Sequence, residues 1–418
     1  MDETVQEFAF EGMLAPSVPR PEPRFKGHPT YNFIGGHNDP EQIPTERLAQ
    51  AAARALEKHG RKLAMYNLGE GAQGFTGLRE FLCAKLAAKR GIRCTADDIL
   101  ITTGSNQGID LVNRVLVQPG DTVLIEEFSY AGAIGRARGS GANVVGMPLD
   151  SDGIDVERLA AILERLRSSG VTPKYIYTIP TIQNPTGSIL PLERRHELIR
   201  LAGTFGVPIF EDECYADIVW SHDAPPSLHA LAPGRVIHIG SFSKSLAPAL
   251  RVGYAVADWA ILGRMVAMKA DGGTGAVDQM VAAEYFGAHF DPHIQGLAAA
   301  LKRKRDVMIE ALHEEFGTSA DVWAPEGGIF VWLKLPDQVD VRSLTAAALD
   351  AGVAFNPGPD WACDGEAARS YMRLCFALPS AATIREGVAE LARVCFEQTG
   401  IPSRSGNRLR QPLPSANG

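Results

Sequence analysis

One stretch of this 418-residue chain gathers groups that could act on a phosphorylated carbonyl compound: Ser241, Ser243, Lys244 and Arg251. An amine can add to a carbonyl to form a Schiff base, and hydroxyls with a guanidinium suit a phosphate dianion. Other polar residues sit further upstream. Asp212 and Tyr215 fall three apart, Asn184 lies in Gln183-Asn184-Pro185-Thr186-Gly187, Tyr130 follows an apolar run, and Ser105 and Asn106 follow Gly104. Singly, these are a helix cap, a turn, a surface ring and a solvated lysine. Their meaning depends on what brings them together.

From residue 98 to 257, short apolar runs rich in β-branched residues alternate with segments of helical period. The runs at 99–103, 122–125, 143–147, 175–179, 207–210, 236–239 and 252–256 predict strands buried on both faces. The segments between them, such as 155–167, predict crossover helices, so the expected fold is α/β with a mainly parallel, doubly wound sheet. After Tyr285 the pattern shifts to a long helix at 292–316, strands at 328–335 and 371–376 and a closing helix at 381–396, which predicts a smaller α+β domain. The expected divisions are an arm at 1–45 that includes part of the small domain, a large domain at 46–287, the small domain at 288–400 and a disordered tail at 401–418.

Open α/β sheets bind ligands beyond the carboxyl ends of their strands. Each polar group above follows one of these runs, so consecutive strand ends present an anion cup, a flat ring, an amide, a carboxylate and a lysine to one rim. That set meets the needs of pyridoxal 5'-phosphate. Lys244 supplies the amine, Asp212 keeps the pyridine nitrogen protonated and Tyr130 stacks on the ring. Asn184 and Tyr215 donate to the phenolic oxygen; Ser105, Asn106, Ser241, Ser243 and Arg251 hold the phosphate.

The segment Ser241-Phe242-Ser243-Lys244-Ser245-Leu246-Ala247-Pro248-Ala249-Leu250-Arg251-Val252-Gly253-Tyr254, with the Asn184 and Asp212 motifs, resembles the fold-type I aminotransferases of class I/II. It is most similar to their 2-aminoadipate and kynurenine branch, and the likeness runs from Tyr31 to Arg393. The resemblance implies ping-pong transfer of an amino group from an α-amino acid to 2-oxoglutarate or pyruvate through a Lys244 Schiff base, with Lys244 also moving the proton between Cα and C4′. It implies that Arg373 grips the substrate carboxylate, that Gly36 lets backbone approach the substrate beside Asn184, and that Tyr66 reaches the phosphate of a neighbouring subunit in a homodimer. Arg20 and Arg24, in the proline-rich arm, are the candidates to meet an acidic substrate side chain. Cys214, Thr181 and Ala249 depart from the family pattern and bear on substrate choice. The same lysine and aspartate also serve β-elimination, decarboxylation or oxidative chemistry, which is the alternative outcome.

Composition narrows the remaining classes. A net charge of −8 without a basic block argues against a nucleic-acid partner, and an acidic start without a long apolar run points to a cytoplasmic protein and away from membranes. Six cysteines without a C-x-x-C pair suggest free thiols. Gly69-Glu70-Gly71-Ala72-Gln73-Gly74 matches G-x-G-x-x-G but follows no clear strand, and Ser241-x-x-Lys244 lacks the Lys-Thr-Gly partner of penicillin-binding enzymes. Pro292 is expected to keep His289 and His293 from sharing a helical face, and no metal is expected.

Overall fold

The computed structural model describes residues 10–15, 18, 21, 24–25, 27–220 and 224–402. Arg20, and the expected tail beyond Pro402, lie outside the described residues. Seven strands form the main sheet in the order Ile99–Thr102, Gly253–Val256, Val236–Ser241, Ile209–Asp212, Ile176–Thr178, Thr122–Glu126 and Asn143–Met147. These match the seven apolar runs. Helices such as Val156–Ser168 and Leu192–Phe205 cross between parallel strands and cover the sheet, burying Leu159, Leu163, Leu198 and Leu201.

Two strands differ from expectation. Asn143–Met147 ends the sheet and has only one strand neighbour, so Asn143 is exposed and Val144, Val145 and Gly146 are half-buried. Gly253–Val256 runs antiparallel to both of its neighbours. The connection from Ser241 to Gly253 is too short for a crossover, which needs a dozen residues or more, so the chain folds straight back. Lys244 and Arg251 both lie on that connection and so remain at the carboxyl edge of Val236–Ser241.

A second, antiparallel sheet holds Asp321–Trp323, Phe330–Lys334, Tyr371–Cys375 and Asn356–Pro357 in that order. Register places Arg373 between Trp332 on one side and Asn356 on the other. Tyr31–Asn32 pairs in parallel with Val353–Ala354, and Cys375 N donates to Phe33 O at 2.8 Å. That attachment carries the following residues, Gly35 and Gly36, to the rim of the first sheet.

A single helix, Ala276–Phe316, joins the two parts. It starts well before the expected position and passes through Pro292. Proline removes one backbone donor and crowds the preceding turn, but Tyr285 and Phe286 are buried in one core cluster and Leu297 and Leu301 in another. Packing on both sides holds the helix across the break. Contrary to the expectation from Pro292, His289 and His293 share a face of this helix, each ring against Tyr285; His293 also bridges elements, with Nδ1 2.9 Å from Tyr285 Oη and Nε2 2.7 Å from Ser245 O. No helix among the described residues is long and apolar enough to cross a membrane.

Candidate active site

The carboxyl edge of the main sheet and one face of the second sheet enclose a cavity of about 320 Å³. Ser105, Asn106, Tyr130, Asn184, Asp212, Tyr215, Ser241, Ser243, Lys244, Arg251, Arg373 and Gly36, all singled out in the sequence, line it. Tyr66 does not. It is 89% exposed and sits with Gly272 and Gly273 at a separate surface cavity. Arg24 is exposed on the arm.

At one end, Gly104 turns the chain with φ +72° into the helix Ser105–Leu116, whose first two residues, Ser105 and Asn106, line the cavity. An added Cβ at Gly104 would collide with Arg251 Nη2. Arg251 itself takes a left-handed φ of +54°, a conformation that costs a non-glycine residue about 1 kcal/mol and that here turns its guanidinium back toward Ser243 Oγ, 3.3 Å away. Ser241 Oγ donates to Ser243 Oγ at 3.0 Å. Hydroxyls, a cation and a helix N-terminus thus converge where an anion would sit.

In the middle, Lys244 Nζ donates to Gly36 O at 2.6 Å, and burial holds its pKa below the ordinary lysine value. The uncharged, nucleophilic amine is correspondingly favoured. Asp212 is buried, which raises its pKa; Oδ2 accepts from Tyr177 Oη at 2.8 Å and Oδ1 from Cys214 N at 3.1 Å. Tyr130 Oη donates to Asn106 Oδ1 at 3.0 Å, and Asn184 Nδ2 donates to Tyr215 Oη at 3.2 Å. Burial pushes the Tyr215 phenol well above its usual range, so it remains a proton donor at neutral pH.

At the far end, Arg373 is a buried cation whose hydrogen bonds all go to neutral groups. Nη1 donates to Asn184 Oδ1 at 3.1 Å, Nη2 to Asn356 Oδ1 at 2.7 Å and to Gly35 O at 3.0 Å, while buried Nε has no hydrogen-bond partner. Its guanidinium carbon lies 3.3 Å from the centre of the Trp361 ring and 3.7 Å from that of Phe330. Burial lowers its pKa to about 9, and no acid among the described residues pairs with it. A desolvated guanidinium with two of its five N–H groups unpaired is a receptor for a carboxylate. Tyr177, Trp361, Phe330 and Asn356 were not singled out from sequence. Tyr177 and Phe330 lay inside runs read as core strands, and no linear motif marks Trp361 or Asn356.

Two glycines show how little room remains. Beside the clash at Gly104, a Cβ on Gly36 would collide with Lys244 Nζ and stand 3.6 Å from Phe330. Gly36→Ala is expected to fold normally, since the atom it meets is the end of a flexible side chain, but to displace the amine. A misplacement near 1 Å costs roughly 10²-fold in kcat/KM, which steady-state kinetics on the variant would read.

Behind Asp212, the next residue anchors the turn. Glu213 accepts from Arg90 Nε at 2.6 Å and from Arg90 Nη2, and Thr181 Oγ1 donates to it at 2.8 Å while accepting from Arg195 Nη2 at 2.9 Å. Thr181 therefore braces this network and does not line the cavity. Burial alone would raise the Glu213 pKa, but Arg90 outweighs it and holds the carboxyl below its ordinary range. With the folded pKa depressed, this stabilisation is present above the ordinary carboxylate range and is lost as pH falls through the folded value. Arg90→Met should cost about 3–5 kcal/mol at pH 7, and the gap to wild type should narrow on acidification as Glu213 protonates. Urea denaturation at pH 7 and pH 4 measures both. Glu213, Glu211 and His238 also bring possible metal ligands within 4.8 Å of one another, but Glu213 is already held by arginine.

The donor set fits pyridoxal phosphate: an anion cup at one end, an amine and a buried carboxylate in the middle, and a Gly36 whose side chain, if present, would fill the space beside the amine.

Comparison with known proteins agrees with that fit. The profile of the family "Aminotransferase class I and II" matches residues 36–391. The chain is 34% identical over 372 residues to aromatic-amino-acid aminotransferase 1 of Thermococcus litoralis, covering 88% of each. It is 36% identical over 369 residues to 2-aminoadipate transaminase of Thermus thermophilus, covering 87% of this chain and 89% of that one. Among solved structures it resembles α-aminoadipate aminotransferase from Thermus thermophilus in complex with N-(5'-phosphopyridoxyl)-L-leucine, with a TM-score of 0.82, 34% identity and coverage of 88% and 93%.

Proposed function

The chain belongs to the class I and II aminotransferase family and is a pyridoxal 5'-phosphate-dependent transaminase, and from that premise we propose that it moves the amino group of an aromatic or aliphatic α-amino acid to 2-oxoglutarate or pyruvate. The observation that carries the substrate class is the balance of charge in the cavity. All three of its cations are already committed, Lys244 as the amine, Arg251 to the phosphate and Arg373 to the α-carboxylate. No fourth cation lines it among the described residues, and the walls near Arg373 are Phe330, Trp361 and Tyr130. A second carboxylate on donor or acceptor would meet rings where an uncharged side chain packs well, so the same charge balance favours pyruvate over 2-oxoglutarate as the acceptor.

In this reading the cofactor, when bound, supplies an electron-withdrawing ring that stabilises negative charge developing at the donor Cα. Asp212 keeps the ring nitrogen protonated, and Tyr177 and the Cys214 N–H orient that carboxylate. Asn184 and Tyr215 donate to the phenolic oxygen, and Tyr130 packs on the ring face. Ser105, Asn106, Ser241, Ser243 and Arg251 hold the phosphate. Arg373, steered by Asn184 and Asn356, fixes the α-carboxylate, and Lys244 takes the proton from Cα. The aromatic lid over both faces of Arg373 excludes water from that contact.

The protein works in this reading as a homodimer whose subunits complete each other's sites. Tyr66 supports it: a tyrosine 89% exposed, next to Met65 at 55%, is poorly placed for its own cavity and well placed to serve a neighbour. Light scattering gives the mass in solution. A donor panel run with both oxo acids, each product identified by mass, tests the substrate class. Phenylalanine and leucine should outpace 2-aminoadipate and aspartate; the reverse order overturns the proposal and turns attention to Arg24 of the arm.

A further inference from the structure

Glu126 ends the strand Thr122–Glu126, is fully buried, and lies outside the cavity lining. Both of its oxygens are engaged. Oε1 accepts from Thr178 Oγ1 at 2.6 Å and from Ile179 N at 3.1 Å; Oε2 accepts from Gln183 Nε2 at 2.9 Å and, more loosely, from Ser129 Oγ at 3.4 Å. An uncompensated buried carboxylate would be costly, so its surroundings consist of donors.

What those donors hold explains its place. Gln183 Nε2 also donates to Phe128 O at 2.7 Å, and Gln183 Oε1 accepts from Thr186 N and Thr186 Oγ1, each at 2.8 Å. Gln183 and Thr186 flank Asn184, so the turn carrying Asn184 is tied on both sides to Glu126. On the opposite side, Ser129 precedes Tyr130, and Ser129 N donates to Trp361 O at 2.9 Å. Glu126 therefore joins three walls of the cavity: the Asn184 turn, the Tyr130 segment and the Trp361 segment.

We infer that Glu126 is a positioning residue for the carboxylate clamp, holding the Asn184 turn against residues 127–130 so that Asn184 meets Arg373. The inference rests on the reading in which Arg373 and Asn184 hold the substrate carboxylate. A carboxylate is required because its neighbours are donors. A glutamine would turn an amide N–H₂ toward the Gln183 N–H₂, and flipping Gln183 would set its oxygen against Phe128 O and its nitrogen against Thr186 N.

Glu126→Gln tests this with a split between KM and kcat. Burial holds the Glu126 pKa up at about 7, so removing the charge relieves a desolvation cost, and the variant should keep the wild-type thermal midpoint at pH 8. Displacing the Asn184 turn weakens the clamp for donor and acceptor alike, because both present a carboxylate to it. KM for both should rise roughly tenfold, the size of one lost hydrogen bond to a charged group, with kcat per cofactor-loaded site within about threefold of wild type. A purely structural role would lower the active fraction and leave both KM values in place, and that result overturns the inference. If Glu126→Gln is insoluble, Thr178→Val, which removes one donor from the far side of Glu126, should raise both KM values in the same direction; unmoved values there also overturn it. Arg373→Leu in the same assay separates the two claims, because unmoved KM values in that variant would fault the assignment of Arg373 and not of Glu126.

Discussion

Replacing Lys244 with alanine is expected to lower transamination by at least about 10⁴-fold. One group is asked to do two jobs, anchoring the cofactor's carbonyl carbon and moving the Cα proton. Proton transfer by a positioned side chain alone contributes roughly 10²–10⁴-fold, and nucleophilic anchoring adds to it. No other lysine lines the cavity among the described residues, and the amine is prepared by burial, which lowers its pKa. Fold stability should change little, since the Nζ makes one hydrogen bond, to Gly36 O. Two measurements check the claim. Oxo-acid formation should collapse in the variant. Borohydride reduction of the cofactor-loaded wild type should leave a phosphopyridoxyl adduct on the peptide holding residue 244, absent from Lys244→Ala. An adduct on a different lysine, or wild-type turnover by the variant, would sink the assignment.

Arg373→Leu carries the second largest effect. A bidentate carboxylate gains two hydrogen bonds from a charged donor, at about 1.5–3 kcal/mol each, so their loss is worth roughly 3–6 kcal/mol, or on the order of 10²–10⁴ in kcat/KM. The loss should fall equally on donor and acceptor. Leucine should be tolerated structurally, because Arg373 is already sandwiched between two aromatic rings and leaves no carboxylate partner stranded. Asn184 and Asn356 do each lose a donor, so a modest fall in stability is expected as well. Cofactor affinity, measured by equilibrium dialysis, should remain near wild type, because the proposed phosphate end, with Ser243 and Arg251, lies at the edge of the other sheet. Loss of cofactor in step with activity would overturn this division of labour.

Much of this site was legible in the linear chain because its chemistry is local. Each functional side chain of the main sheet follows an apolar run, and the runs at 99–103 and 236–239 became Ile99–Thr102 and Val236–Ser241 with shifts of one or two residues. The Lys244 segment carries its own meaning in the order of its residues. What escaped depends on register between strands. That Asn356 stands opposite Arg373 follows from a two-residue strand pairing, which no periodicity reveals. Trp361 meets Arg373 on a segment that an isolated bridge between Phe128 and Ala362 ties to the other part. Pro292 misled for a related reason. Its local penalty is plain in the sequence, but the packing of Tyr285 on one side and Leu297 on the other, which offsets it, belongs to the tertiary structure.

The antiparallel return of Gly253–Val256 bears on how one enzyme can serve two substrates in alternation. Because the chain doubles back at once, Lys244 and Arg251, the proposed amine and phosphate anchor, share one short connection. The proposed grip on the visiting molecule, Arg373, belongs to Tyr371–Cys375, in a sheet of its own. What must stay through a full cycle and what must let go twice are thus assigned to different scaffolds. Tightening or loosening the hold on donor and acceptor can then be selected in one sheet without unseating the resident cofactor in the other.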